Sequence, residues 1–421
     1  MHILFLTDNF PPEVNAPASR TYEHCRRWVQ AGHRVTVVTC APNFPRGQVF
    51  SGYRNRLWSR ETVDGIRVVR VWSYITPKTG MYSRFVDYNS FMVMGALASL
   101  FVRRVDVIVG TSPQFFTAFG AWVVGVLKRK PWVFELRDIW PESIKAVGEM
   151  KNSPTLLRWL ENIELFLYRK SARVVSVTHS FKRVLTKRGI DPAKIDVVTN
   201  GVDVSRFVPQ PKDKALLAQL NLQDCFVAGY IGTHGMAHAL ETLLEAAQRL
   251  QALPEGAHIR FLFLGDGARK AALMQQARDM QLRNVVFVDS VPKEQVVRYW
   301  SVLDVSVIHL RHTELFSTVI PSKLFECMGM GLPVLHGVKG ESADIVLSEG
   351  VGEVFEPENV DQLVASLLRL QASPELRAQY RDRGLQAAKR YDRDHLAMNM
   401  LGSLEAAARV KDGVLSAPQT R

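Results

Sequence analysis

Short, continuous apolar runs alternate with helix-patterned segments twice along this chain, once from Ile3 and again from Phe226. Strands that are apolar along their length are buried on both faces, and the helices between them serve as the crossovers that parallel strands need. The pattern predicts an α/β protein with two doubly wound parallel sheets in tandem. In the first series Ile3–Thr7, Val35–Thr39, Ile66–Trp72, Val105–Gly110, Trp132–Leu136, Val174–Thr178 and Ile195–Thr199 read as strands. Helices are expected from about Ala18 to Gly32, over Tyr82–Val102 and Phe115–Leu127, and in a basic segment ending at Gly189. The second series has strands at Phe226–Ile231, Arg260–Leu264, Val285–Val288, Val305–Leu310 and Gly352–Phe355. It adds a helix at Leu240–Leu250 and closing helices from Asp361, Glu375 and about Asp394. Polar, Pro-containing Pro209–Lys214 reads as the connection. The expected domains are 1–205 and 206–393, with the last helix, about 394–421, packing back on the first.

The length of 421 residues suffices for two full cores, and 47% hydrophobic with 22% charged residues is ordinary for a soluble globular chain. Cys25, Cys40, Cys225 and Cys327 are scattered, with no CxxC or Cys/His cluster, which predicts a reducing compartment and no structural metal. Ile3–Leu6 is too short an apolar core for a signal peptide, so a cytoplasmic location is expected. The net charge of +12 is uneven: residues 1–200 hold 29 Lys and Arg against 15 Asp and Glu, so the first half carries all the excess. Such a half is attracted to anionic membrane, polyphosphate or nucleic acid. Two apolar runs, Phe91–Val102 and Phe115–Leu127, are each followed by basic residues and are too short to span a bilayer. Each reads as a core helix or as a helix docked at a lipid interface. With no nucleic-acid module recognisable, a peripheral position at the membrane ranks above nucleic-acid binding.

The most informative stretch is Ser317–Val334, read as a loop, a short helix opening at Pro321 and the entry to a buried strand. Leu324, Phe325 and Met328 recur at helical spacing, and Gly329 and Gly331 are read as ending the helix. Lys323 falls in the first turn, where the helix dipole disfavours a cation unless an anionic ligand is present. Backbone N–H groups and an ammonium together make a phosphate site, and Glu326 is spaced to accept hydrogen bonds from a diol such as a ribose. A diphosphate beside a diol describes a nucleotide-sugar. An ordinary helix with a solvated Lys and Glu gives the same pattern.

In doubly wound sheets ligands bind outside the carboxyl ends of the strands, which singles out the Asn9–Arg20 loop and Arg137-Asp138 after Trp132–Leu136. A carboxylate there is well located for catalysis; capping and loop bracing are the structural alternative. No GxGxxG follows the first strand, which argues against a dinucleotide-dependent dehydrogenase.

Taken together, Gly32-His33-x-Val35-Thr-Val, Asn200-Gly-Val-Asp203 with Phe207 and Pro209, Gly265-Asp-Gly267 and Pro321–Val334 resemble the retaining nucleotide-sugar glycosyltransferases of family 4. The resemblance spans nearly the whole chain and implies the GT-B fold, two Rossmann-like doubly wound parallel-sheet domains facing across a cleft. A closer likeness, to bacterial surface-polysaccharide enzymes of the N-acetyl-L-fucosamine and colanic-acid type, rests on Pro11–Pro17, Pro42–Gly47, Arg137–Glu142, Gly232–Gly235 and Ile320–Lys323.

The resemblance implies roles residue by residue. Glu326 matches the second Glu of the family's E-x7-E motif, which binds the ribose, but the first Glu is replaced by Thr318. The family's Arg and Lys for the diphosphate fall near Thr233 and His238, so Lys323 is expected to supply the missing charge, helped by the backbone of Ile320, Ser322 and Lys323. The donor set is then Gly232, Thr233, His234, Gly235, His238, Thr318, Ile320, Ser322, Lys323 and Glu326. Glu13, Asn15, Arg20 and Arg137 are the acceptor candidates, and Asp138, Lys323 and Glu326 the catalytic ones. No metal or cofactor is expected beyond the donor, most simply a UDP-sugar. Loss of the first Glu suits a donor with fewer hydroxyls, such as an amino-deoxy sugar. The acceptor implied is a lipid-linked saccharide of the undecaprenyl diphosphate type at the inner face of the cytoplasmic membrane, in O-antigen, capsule or exopolysaccharide synthesis. Alternatives are a GDP-mannose or UDP-glucose donor, a sugar-nucleotide epimerase of the same fold, and a non-catalytic nucleotide-sugar-binding protein.

Overall fold

The computed structural model describes residues 1–409 apart from 45, 77–80, 113–114, 140–153 and 293. The chain divides into two compact units, Met1–Thr199 together with the chain from Arg393 onward, and Asn200–Asp392.

In the first unit the strands are β1 (His2–Leu6), β2 (Arg34–Cys40), β3 (Trp58–Val63), β4 (Ile66–Val71), β5 (Val107–Thr111), β6 (Trp132–Leu136), β7 (Arg173–Ser176) and β8 (Ile195–Val197). They form one sheet in the order β3-β4-β2-β1-β5-β6-β7-β8. All described pairings are parallel except β3–β4, a hairpin closed by Asp64 and Gly65, both at positive φ. That hairpin is absent from the sequence reading because β3 alternates partly exposed and polar residues, as an edge strand does. Its helices are α1 (Ala16–Gln30), α2 (Met81–Leu100), α3 (Phe115–Lys128), α4 (Pro154–Lys170) and α5 (His179–Lys187). α4 was likewise not anticipated.

α2 and α3 each bury one face and expose the other. Ala118, Ala121 and Val124 of α3 are sealed in the core, whereas Val126 and Leu127 are exposed, as are Val93 and Leu97 of α2 and Phe101 just beyond it. The buried faces are those of core helices, and the exposed residues leave an apolar outer face on each. No described helix is long and apolar enough to cross a membrane.

In the second unit, strands β9 (Phe226–Ile231), β10 (Ile259–Leu264), β11 (Val285–Val288), β12 (Val305–His309), β13 (Val334–Gly337) and β14 (Gly352–Val354) lie in the order β11-β10-β9-β12-β13-β14, with parallel pairings. Its helices are α6 (Lys214–Gln219), α7 (Glu241–Gln251), α8 (Lys270–Asp279), α9 (Val296–Ser301), α10 (Lys323–Met330), α11 (Glu341–Glu349), α12 (Val360–Ala372) and α13 (Pro374–Ala388).

α14 (Arg393–Arg409) returns to the first unit. Leu396, Met400, Leu401 and Leu404 join Ile3, Phe5 and Trp28 in one core, and Trp28 Nε1 donates to Ala397 O at 2.8 Å. Asn200–Ser205, which the sequence reading assigned to the first domain, folds with the second unit. Val202 and Phe207 are buried beside α10, and Val202 N donates to Tyr391 O at 2.9 Å. Pro209–Lys214 therefore lies within the second unit rather than between the two.

Candidate active site

In each unit the strand order reverses beside the first strand, between β1 and β5 and between β9 and β12. A doubly wound sheet opens its ligand crevice at the carboxyl ends of such a pair. The second unit places Gly232 directly after β9, and the loop that leads to α10 follows β12.

α10 begins at Lys323, two residues later than expected. Leu324 N donates to Pro321 O, and Phe325 N and Glu326 N donate to Ser322 O, so a tight turn precedes the helix. The helix continues through Gly329, where an added Cβ would crowd Phe207 O and Val202. Gly331, at φ +63°, caps it. Among the described residues the N–H groups of Ile320, Ser322 and Lys323 donate to no backbone carbonyl. Ser322 makes no side-chain cap and Ile320 is buried, so both offer chiefly their backbone. An anion at this helix start would meet donors and the positive end of the dipole together.

The Lys323 ammonium lies 3.9 Å from the centroid of the Tyr230 ring. It also lies against Gly232, at φ +144°, in the space a side chain there would fill. Burial pulls the Lys323 pKa down to about 8, against the pull of Glu326 one turn on and of Cys327. The Tyr230 hydroxyl donates to Thr233 O at 2.8 Å, tying the exposed Thr233 to the strand end. Gly265 completes the packing: a Cβ there would overlap Gly232 O, so the loops after β9 and β10 touch backbone to backbone.

The histidines divide by depth. The His234 ring is enclosed by Phe263, Phe287 and Tyr230 and has no hydrogen-bond partner among the described residues, while its backbone bonds Asp266 O and Arg269 N. Burial, then Lys270 and Lys323, lower its pKa to about 4, so it is neutral near pH 7. The structure sets this ring beneath the loop rather than at its surface. His238 is partly buried against Tyr230, and its Nδ1 has no hydrogen-bond partner among the described residues. Burial and Lys323 lower its pKa to about 3. Its carbonyl accepts from His309 Nδ1 at 2.8 Å, and His309 Nε2 accepts from Glu358 N at 2.9 Å, which fixes that tautomer. Gly235, partly buried, precedes the 3-10 turn Met236–His238. The Thr318 hydroxyl donates to Leu315 O at 2.7 Å and is turned into its own loop.

In the first unit, Asn15 caps α1 by accepting from Ala18 N at 2.8 Å and donates to Asn9 Oδ1 at 2.6 Å. Glu13 is buried, and its Oε1 accepts from Asn43 N and Phe44 N at 2.7 and 2.9 Å. Burial raises its pKa against those bonds. Arg20 is also buried, bonded to Glu135 Oε1, Thr199 O and Val198 O. Glu13 and Arg20 are thus engaged in bracing their loops. Burial alone would raise the Glu135 pKa, but Arg20 and Arg137 hold it below the usual range.

Arg137 N and Asp138 N both donate to Ser112 Oγ, which ties β5 to β6 at the crevice. Burial lowers the Arg137 pKa to about 10, and its Nη1 lacks a partner among the described residues. Asp138 is partly exposed, and burial raises its pKa to about 6 against the pull of Arg137. Trp140-Pro141-Glu142, the rest of that motif, lies outside the described residues. Sequence reasoning missed Tyr230 and Glu135. A tyrosine next to a strand's carboxyl end and a glutamate inside an apolar strand were the available signals.

A glycosyl transferase 4-like domain matches residues 15–201 and a glycosyl transferases group 1 domain matches residues 225–373. The chain is 26% identical over 380 residues to the "Putative colanic acid biosynthesis glycosyl transferase WcaI" of Escherichia coli strain K12, covering 87% of this chain and 91% of that one. It is 23% identical over 355 residues to a GDP-mannose-dependent alpha-mannosyltransferase of Mycobacterium tuberculosis, covering 84% and 83%. The crystal structure of Anabaena Alr3699/HepE in complex with UDP-glucose superposes with a TM-score of 0.71 at 15% identity, covering 96% and 100%. The chain is therefore a glycosyltransferase of the GT-B fold, a glycosyl transferase 4-like domain followed by a group 1 domain.

Proposed function

We propose that the chain transfers a sugar from a nucleoside-diphosphate donor, with retention of anomeric configuration, to a lipid-linked saccharide during surface-polysaccharide assembly. The observation that carries the reading is the Lys323 ammonium seated on Gly232 and Tyr230 at an α10 start where, among the described residues, the Ile320, Ser322 and Lys323 N–H groups donate to no backbone carbonyl. In this reading the second unit binds the donor, with the diphosphate at Lys323 and the ribose at Glu326. The anomeric C–O bond to the phosphate breaks as the acceptor oxygen attacks from the same face, and the acceptor proton passes to the departing phosphate. Lys323 and the N–H groups stabilise the leaving charge without a metal, each well-aimed donor being worth about 3 kcal/mol. Asp138 orients the acceptor hydroxyl or steadies the positive sugar. Turnover undiminished by EDTA is the expected result; restoration by a divalent cation after chelation overturns the metal-independent step.

The donor of choice is UDP-N-acetyl-L-fucosamine or a related amino-deoxy sugar. Thr318 stands where the family has a glutamate for sugar hydroxyls, and its own hydroxyl is turned away to Leu315 O. GDP-mannose is the second reading, favoured by the dependence named for the mycobacterial relative. The acceptor is placed with the first unit, and peripheral attachment at the inner membrane face is supported by its excess of basic residues and by exposed Val93, Leu97, Val126 and Leu127. Purified protein incubated with membranes and a panel of nucleotide-sugars tests the whole. The expected product is an amino-deoxy sugar in the lipid fraction. Mannose there selects the second reading, and donor binding without any transfer overturns both.

A further inference from the structure

A cavity of about 520 Å³ lies in the first unit at the amino ends of β1, β2 and β4, the end of the sheet away from Asp138. Arg34, Arg60, Arg67, Arg103 and Arg104 line it. None of the five forms an ion pair with a carboxylate among the described residues. Glu61 in the wall is already held 2.6 Å from Arg70. Five guanidinium groups around one concavity repel each other and focus a positive field into it. The Arg60 guanidinium lies over the Trp58 ring at 5.3 Å, and Phe101 meets that ring edge-on at 5.9 Å while remaining 72% exposed. The cavity thus joins a cationic wall to an apolar aromatic one.

The wall is also held in place from beneath. Buried His2 sets its Nδ1 3.1 Å from both Arg103 O and Arg104 O, and its Nε2 2.9 Å from Thr36 Oγ1. Carbonyls only accept, so Nδ1 carries the proton and Nε2 accepts from the threonine hydroxyl. Arg104 sits at φ +54°, uncommon for a residue other than glycine, and that backbone shapes the loop bearing the two arginines.

We propose that this cavity is a second, non-catalytic phosphate site, taking a phosphoryl group on the guanidinium wall and the apolar body attached to it on Trp58 and Phe101. Guanidinium groups pair with phosphate bidentately, which suits them to this task better than lysines. An anionic lipid headgroup and a soluble phosphate ester both present that chemistry. The inference is independent of the donor reading, because it concerns different residues in the other unit.

The test uses the full chain with phenyl phosphate by calorimetry, and vesicles of phosphatidylcholine with or without phosphatidylglycerol by co-sedimentation. The variants are Arg60→Gln/Arg67→Gln, whose side chains are exposed, and Phe101→Ser; Lys323→Ala is the control for the donor site. The double variant is expected to weaken phenyl phosphate binding about tenfold or more, as for loss of two charge-assisted contacts, with donor hydrolysis unchanged. Phe101→Ser weakens it less, and Lys323→Ala leaves it intact. If phosphatidylglycerol-dependent sedimentation falls in parallel, the occupant is a headgroup; if it does not, the occupant is a soluble ester. Equal behaviour of wild type and double variant in both arms, or binding lost only in Lys323→Ala, overturns the proposal.

Discussion

Lys323 occupies the room that a side chain on Gly232 would need, so two residues far apart in sequence are fitted to each other at the carboxyl end of β9. Gly232→Ala introduces a Cβ at φ +144° and drives the ammonium from the Tyr230 ring. Backbone strain of that kind costs on the order of 1–3 kcal/mol. We expect the donor kcat/KM to fall at least about tenfold, the equivalent of 1.4 kcal/mol, with the far-UV circular dichroism unchanged.

Replacing the charge itself has a larger effect. Lys323→Ala is expected to lower kcat by about 10²–10³, the cost of removing one aimed donor from a developing oxyanion. The Lys323 pKa of about 8 sets the sign of the pH dependence: the free enzyme loses the ammonium as pH rises through 8, so donor kcat/KM declines above it. Lys323→Arg abolishes that decline whatever its absolute rate. A decline unaltered in the arginine variant refutes the assignment.

In the proposed mechanism Asp138 is expected to govern the other limb. Its pKa is raised to about 6, so the carboxylate forms as pH passes upward through 6, and activity that depends on it rises over that interval. In Asp138→Asn the rise is absent. Because the folded-state pKa is raised, the stability this group contributes is present below pH 3.8 and is lost as pH climbs through about 6. The asparagine variant is accordingly expected to melt no lower than wild type at pH 7, while transferring sugar more slowly.

Arg20 gives a contrasting outcome. Removing it leaves buried Glu135 without its 2.9 Å partner. Breaking one side of such a pair destabilises by about 3–5 kcal/mol. Arg20→Met is expected to show this in urea unfolding, with the acceptor KM of the folded fraction unchanged. A raised KM with unaltered stability gives Arg20 the acceptor-binding role that its sequence position suggested.

The sheets were legible in the sequence because parallel strands covered by helices are mainly apolar; Trp132–Leu136, Phe226–Ile231 and Val285–Val288 were bounded as observed, although Glu135 interrupts the first and the last is a partly buried edge strand. β3 was hidden because an antiparallel edge strand carries polar residues. Lys323 and Glu326 stood out through their helix position and the family motif they match. Their surroundings did not, since the Tyr230 ring and the Gly232 backbone reach Lys323 only through the pairing of β9 with β12. Arg20 drew attention through its loop after the first strand; its pairing with Glu135 was not legible, because that partner lies on a strand from a distant part of the chain.

The return of α14 to α1 bears on the order of events during synthesis. The surface of α1 around Trp28 and His24 is covered by Ala397 and Met400, and Glu23 is bonded to Arg393 at 2.7 Å. The first unit therefore stays unsealed until Arg393–Arg409 has been made. A nascent or prematurely terminated chain exposes that apolar seam, the kind of surface that holding chaperones and proteases recognise.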